Sequence, residues 1–149
     1  MEADFQTKQS ALLVDFRTAM HTDPHVALDI LLKNYDCEVF CQCLEILNEA
    51  PLHISTMLVV CELALKTVLP ELYIVHYILS CIQTCQPIHA KSEQRRSVRL
   101  LCVFIKKLVS LQLVTDWRLF HEICSFCSQF SSIYEAKDLL EYLKAEFLV

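Results

Sequence analysis

At 149 residues, 54% apolar and 21% charged, the chain has the bulk for one buried core, which excludes a disordered chain or a charged tail. It contains no glycine, so the phosphate loop and the dinucleotide fingerprint are absent and a hairpin-rich sheet fold is hard to build. A net charge of −5 opposes nonspecific nucleic-acid binding, which needs a basic field.

Apolar residues recur at three- and four-residue spacings almost throughout, which predicts an all-α chain of about eight helices. The first runs from about Ala3 to Met20. The second starts at Asp23-Pro24, where Asp caps free amides and Pro loses no hydrogen bond, and presents Ala27, Leu28, Leu31 and Leu32. The third spans about Asp36 to Glu49 and buries Val39, Phe40, Cys43, Leu44 and Leu47. Pro51 breaks the chain, and the fourth follows Ser55 and ends before Pro70, carrying Leu58, Val59, Glu62, Leu63 and Lys66. The fifth runs from near Pro70 to Cys85 and is stopped by Pro87. Leu72 to Ala90 lacks acidic residues, Lys and Arg, but its polar residues leave it short of a spanning segment, so a buried central helix is expected and no membrane anchor. The sixth spans Lys91 to Leu111, and the seventh starts near Thr115 or Asp116 and ends near Phe130. The eighth opens on Ser132-Ile133-Tyr134-Glu135, a capping-box pattern, and presents Ala136, Leu139, Leu140 and Leu143. Short connections fold neighbours back antiparallel, so the expected architecture is helical hairpins stacked in one domain over residues 1–149.

The nine cysteines are odd in number and fall mostly inside apolar helical patterns. With a polar opening from Met1 to Ser10 and no secretory signal, they read as free, buried thiols in a reducing compartment. Cys37 with Cys41 and Cys81 with Cys85 are four apart, a poor spacing for a disulfide along a helix, so packing is their expected role. His121, Cys124 and Cys127 are placed near one helical face by their spacing and, with His89 or Cys102 as a fourth ligand, form a zinc candidate. Phe120, Ile123 and Phe130 around them favour core packing instead. No protease signature accompanies the Cys and His residues, and without glycine there is no nucleophile elbow, so neither catalysis nor a cofactor is expected.

Lys91, Arg95 and Arg99 are spaced four apart as one stripe on the sixth helix, with Arg96 beside it and Lys106 and Lys107 extending it. Leu101, Val103, Phe104, Ile105 and Leu108 are expected on the opposite face. The stripe reads as an ordinary solvated face, as a strip for an acidic peptide or carboxylate matched by Arg forks, or as a contact for RNA phosphate. No aromatic residues interleave it for base stacking, which weakens the last reading. Trp117 is either a core anchor or a partner-binding hot spot.

Cys81-Ile82-Gln83-Thr84-Cys85 and Gln94-Arg95-Arg96-Ser97-Val98-Arg99-Leu100-Leu101-Cys102-Val103-Phe104 resemble the C-terminal domain of the eleventh-subunit family of the Ccr-Not mRNA deadenylase complex. Pro24 to Leu32, Leu52-His53-Ile54-Ser55, Leu69-Pro70, Phe126 to Ser131 and Ala136 to Leu143 are similar too, in order, over about residues 23–145. The resemblance implies an all-helical domain in a non-catalytic subunit that docks proteins during mRNA deadenylation, decay and translational repression, in cytoplasm and nucleus. Its implied partners are a short peptide of an mRNA-decay regulator and other subunits of the complex. For this chain the expected rim of the docking groove is Lys91, Arg95, Arg96 and Arg99, with Trp117. The family's chains are longer and join the complex scaffold through an N-terminal helical domain. The 149 residues leave no room for it, so the chain is either an excised domain or a short homologue, and scaffold binding through that part is not implied.

Overall fold

The computed structural model describes residues 2–35, 37–66 and 69–147, and every regular element among them is an α-helix. In chain order these are α1 (Glu2–Thr22), α2 (Pro24–Lys33), α3 (Glu38–Glu49), α4 (Ile54–Leu65), α5 (Glu71–Cys85), α6 (Lys91–Ser110), α7 (Trp117–Gln129) and α8 (Tyr134–Phe147). They divide into two compact units, Met1–Val68 with α1 to α4 and Leu69–Val149 with α5 to α8.

In the first unit α1 packs along α2 and α3, and α2 packs on α4. Phe16, Leu31, Leu47 and Leu63 are fully buried there. Each contributes roughly 1.5–3 kcal/mol by leaving water. The Asp23 carboxylate accepts from the His25 amide at 3.0 Å with Pro24 in the first turn, as the sequence predicts. The expected start of α3 at Asp36 lies outside the described residues, and Cys37 stands at the N-cap. The cap of α4 is unforeseen: His53 Nδ1 accepts from the Ser55 amide at 3.2 Å.

In the second unit α6 packs on α5 and α8, and α7 packs on α8. Its core includes Tyr77, Ile78, Leu101, Ile105, Ile123, Phe126 and Leu139, with the Tyr77 and Phe104 rings edge to face at 5.8 Å. Burial pushes the Tyr77 phenol above its usual range and the Cys81 thiol bonded to it up to about 12.

The structure corrects four expectations here. The helix α5 is not buried all round: Ile74, Tyr77, Ile78, Cys81, Ile82 and Cys85 face the core while Leu72 and His76 are exposed. Val103 is exposed rather than in the core, because two residues from Leu101 is about 200° around a helix. The capping box of α8 does not form, since the helix starts at Tyr134 and the Glu135 carboxylate turns to Arg99 instead of back to Ser132. Cys37 and Cys41 are exposed, while six other cysteines are buried and Cys124 is half-buried.

Without glycine the chain still closes α6 in a left-handed turn. Gln112 takes φ 59°, its amide reaches the Val109 carbonyl at 3.0 Å, and the Leu113 amide reaches Leu108 at 3.0 Å. This is the double bond that normally recruits glycine at the position after the cap. No described helix is long and apolar enough to cross a membrane.

Candidate functional site

Charge is distributed unevenly along the chain. Residues 1–68 hold four Lys and Arg against ten Asp and Glu, a net of −6, and residues 69–149 hold nine against eight. Six of those nine cations are on α6, which carries a single acid, Glu93. The strip is therefore a concentrated basic feature in a chain that is acidic overall.

Its placement comes from the second unit's packing. Val98, Leu101, Cys102, Ile105 and Leu108 seat α6 in the core, so residues on the far side face water. Gln94 fastens the first turns: its Nε2 donates to the Cys85 and Gln86 carbonyls, both at 3.1 Å. Those carbonyls end α5, where the ladder of the helix runs out; the Cys85 carbonyl also accepts from the Ile88 amide at 3.3 Å, and one amide side chain reaches both. The Gln86 side chain in turn donates to Gln129 Oε1 at 3.0 Å. Nothing in the spacing of α6 distinguishes Gln94 from an ordinary surface glutamine, so only the fold reveals it.

The strip divides into two parts. Lys91, Arg95 and Arg96 are exposed and form no ion pair among the described residues. Further along, Arg99 Nε lies 3.6 Å from Glu135 Oε1, and Lys106 Nζ meets Asp138 Oδ2 at 2.8 Å and lies 5.2 Å from the centre of the Tyr142 ring. The hydrogen bond with Asp138 raises the Lys106 pKa above its usual value. The acids of α8 thus pair Arg99 and Lys106, whereas Lys107 and the upper strip are exposed and form no ion pair among the described residues.

Trp117 is 63% exposed, which removes the core-anchor reading. Its ring meets His121 edge-on at 5.5 Å, with the Arg118 guanidinium at 5.8 Å. It does not join the strip. Thr115 donates from its amide and hydroxyl to Glu71 at 2.6 and 2.9 Å, which holds the start of α7 against the start of α5. Gln94 holds the start of α6 against the end of α5, and the fifteen residues of α5 span about 21 Å from end to end. Trp117 and the free arginines therefore mark opposite ends of the α5–α6 hairpin.

The zinc candidate does not assemble. Six residues turn a helix by about 600°, which leaves His121 and Cys127 roughly 120° apart around α7. His121 is exposed beside Trp117, Cys124 is half-buried, and Cys127 is buried, a free thiol hydrogen-bonded to the free Cys102 thiol. Among the described residues no group of three His, Cys, Asp or Glu is placed to hold a metal ion, with or without His89 or Cys102. That thiol contact, burial and the nearby Glu135 charge all hold the Cys102 thiol protonated.

The first unit adds a feature that the sequence concealed. Arg17 forks onto Glu49 at 2.7 and 3.0 Å, and one turn on the His21 and His53 rings meet edge to face at 6.1 Å. With Met20, Ile46, Ala50 and the buried Thr56 they line a cavity of about 100 Å³. Each partner lies on a separate segment as an ordinary four-residue spacing, so neither segment alone signals the clasp.

Comparison with known proteins places these features in a family. Residues 20–144 match the family model described as CCR4-NOT transcription complex subunit 11. A relative from Dictyostelium discoideum, named CCR4-NOT transcription complex subunit 11, is 37% identical over 122 residues. The match covers 82% of this chain and 19% of that relative, so the chain corresponds to about a fifth of the longer protein. The chain belongs to the CCR4-NOT transcription complex subunit 11 family.

Proposed function

We propose that this chain is a non-catalytic docking domain of the CCR4-NOT complex, which recruits partner proteins to mRNA deadenylation, decay and translational repression. It works in the cytoplasm and the nucleus, beside other subunits of the complex. Its docking element is the upper strip of α6. Lys91, Arg95 and Arg96 take up an acidic segment of an mRNA-decay regulator, the arginines by forked hydrogen bonds to carboxylates. The observation that carries this reading is the contrast along one helix: Arg99 and Lys106 are paired by α8, whereas Lys91, Arg95 and Arg96 have no acid paired with them among the described residues.

The test is an affinity pull-down from RNase-treated cell extract, comparing the native chain with Arg95→Glu/Arg96→Glu. Retention of CCR4-NOT subunits or mRNA-decay regulators by the native chain and their loss from the folded variant is the expected result. Equal retention by both moves the docking surface elsewhere. If ligand is retained only when RNase is omitted, the strip is an RNA contact instead.

A further inference from the structure

Four residues of α6 share one outward line. Arg96, Leu100, Val103 and Lys107 follow one another at steps of four, three and four, which keeps them within about 60° of arc around the helix. The line runs roughly 17 Å along the axis. Its ends are exposed cations and its middle is apolar: Val103 is 59% exposed and Leu100 is half-buried. A single exposed apolar residue is ordinary on a protein surface, so Val103 alone carries no argument. The spacing does, because alternating steps of three and four are those at which one helix meets another along a seam.

The rest of the fold leaves this line open to solvent. Val98, Leu101, Ile105 and Leu108 turn the opposite side of α6 into the core. The helices α5 and α8 pack on α6, and α8 holds one edge of it by pairing Glu135 with Arg99 and Asp138 with Lys106. Arg96 and Lys107 form no ion pair among the described residues, and the single acid of α6, Glu93, precedes the line.

Charge decides what fits. The partner needs an acid at each end and an apolar middle. A phosphate backbone satisfies the cations but offers no apolar surface to Leu100 and Val103. A helix with acid, Leu, Leu and acid at the same steps presents both, with carboxylates beside Arg96 and Lys107 and the leucines on Leu100 and Val103. Contact along about three turns is small for a protein interface, so a weak and transient complex is expected.

We propose that the outer line of α6 docks an acidic amphipathic helix of a partner protein, held at its ends by Arg96 and Lys107 and packed in its middle on Leu100 and Val103. This rests on the docking role of the upper strip and extends it down the helix. The free arginines meet one end of the partner helix, and Lys107 meets the other.

The test is fluorescence anisotropy of two labelled peptides titrated with the whole chain, each stapled because short helices are marginal in water. One carries Glu, Leu, Leu and Glu at steps of four, three and four on an alanine and glutamine background. The other has the same composition with both leucines moved to the opposite face. The native chain is compared with Val103→Ser, Lys107→Glu and Arg95→Glu/Arg96→Glu. All four positions are exposed, so the fold tolerates the changes, and urea denaturation verifies it. The patterned peptide is expected to bind about tenfold tighter than the rearranged one, with losses of about fivefold in Val103→Ser and about tenfold in Lys107→Glu. Equal binding of the two peptides, no binding of either, or a loss of about twofold or less in Val103→Ser or Lys107→Glu overturns the seam. A loss confined to Arg95→Glu/Arg96→Glu overturns the seam and leaves the docking role of the upper strip standing. That role fails separately, when the partner captured from extract is retained by Arg95→Glu/Arg96→Glu.

Discussion

Arg99 and Glu135 face each other between α6 and α8 at 3.6 Å, and the second Glu135 oxygen, Oε2, is buried with no hydrogen-bond partner. The carboxylate is only half satisfied, and Arg99 is the one cation paired with it among the described residues. Removing the arginine charge leaves a partly buried carboxylate unpaired, and reversing it sets two carboxylates side by side. Arg99→Glu is expected to destabilise the fold by about 1–2 kcal/mol. Because Arg99 is itself well exposed, Arg99→Ala is expected to cost about 1 kcal/mol or less. Urea denaturation of both, repeated in a Glu135→Gln background, checks this: the cost of Arg99→Glu shrinks there if the carboxylate is its cause.

The free arginines follow different physics. Arg95 and Arg96 face solvent and form no ion pair among the described residues, so Arg95→Glu/Arg96→Glu should leave the unfolding free energy from urea denaturation within about 0.5 kcal/mol of native. The same variant should weaken capture of an acidic partner by about tenfold or more, and native binding should fall with added salt. Unchanged partner affinity in a folded variant removes these two residues from the docking surface.

Helix number and the main apolar faces were legible because burial on one side of a helix leaves a 3.6-residue period in the sequence. Ala27 and Leu31, or Leu139 and Leu143, repeat at four-residue spacing and are buried as expected. The basic stripe on α6 was legible for the same reason. Its division into free and paired halves was not, since the pairing acids Glu135 and Asp138 lie more than thirty residues away on α8. The rotation of α7 was legible in principle, yet a three-residue step taken twice drifts off one face, and His121 separates from Cys127. Ser132 and Glu135 had the spacing of a capping box, but a tertiary cation drew the carboxylate away from the helix start.

Gln112 offers a test of the missing glycine. A non-glycine residue in the left-handed region carries a steric cost of roughly 1–2 kcal/mol, and glycine repays part of any gain through its greater freedom when unfolded. Gln112→Gly should raise stability by about 0.5–1 kcal/mol, whereas Gln112→Val should lower it by about 1 kcal/mol or more, because a β-branched side chain tolerates positive φ least. Thermal unfolding of the two variants reads this directly, and a loss of stability in Gln112→Gly would contradict the assignment.

The buried thiols set an alkaline limit on stability. Burial pushes Cys43 from 9.0 up to about 11, and Cys85 from 9.0 up to about 12; burial also dominates at Cys81, which reaches about 12. Above pH 9 the unfolded chain releases these protons while the folded chain keeps them, so the unfolded state binds fewer protons and stability falls as pH rises. The contribution is complete below pH 9 and is lost between pH 9 and about 11 for Cys43, and up to about 12 for the other two. Each thiol contributes a slope of up to about 1.4 kcal/mol per pH unit. Urea midpoints measured from pH 8 to pH 11 are therefore expected to be flat at first and then to drop. Alkylation at pH 8 should label Cys37 and Cys41 in the native chain, and reach Cys43, Cys81 and Cys85 only after unfolding. Native labelling of those three at the rate of the exposed pair would mean that the helices open locally far more readily than their packing implies.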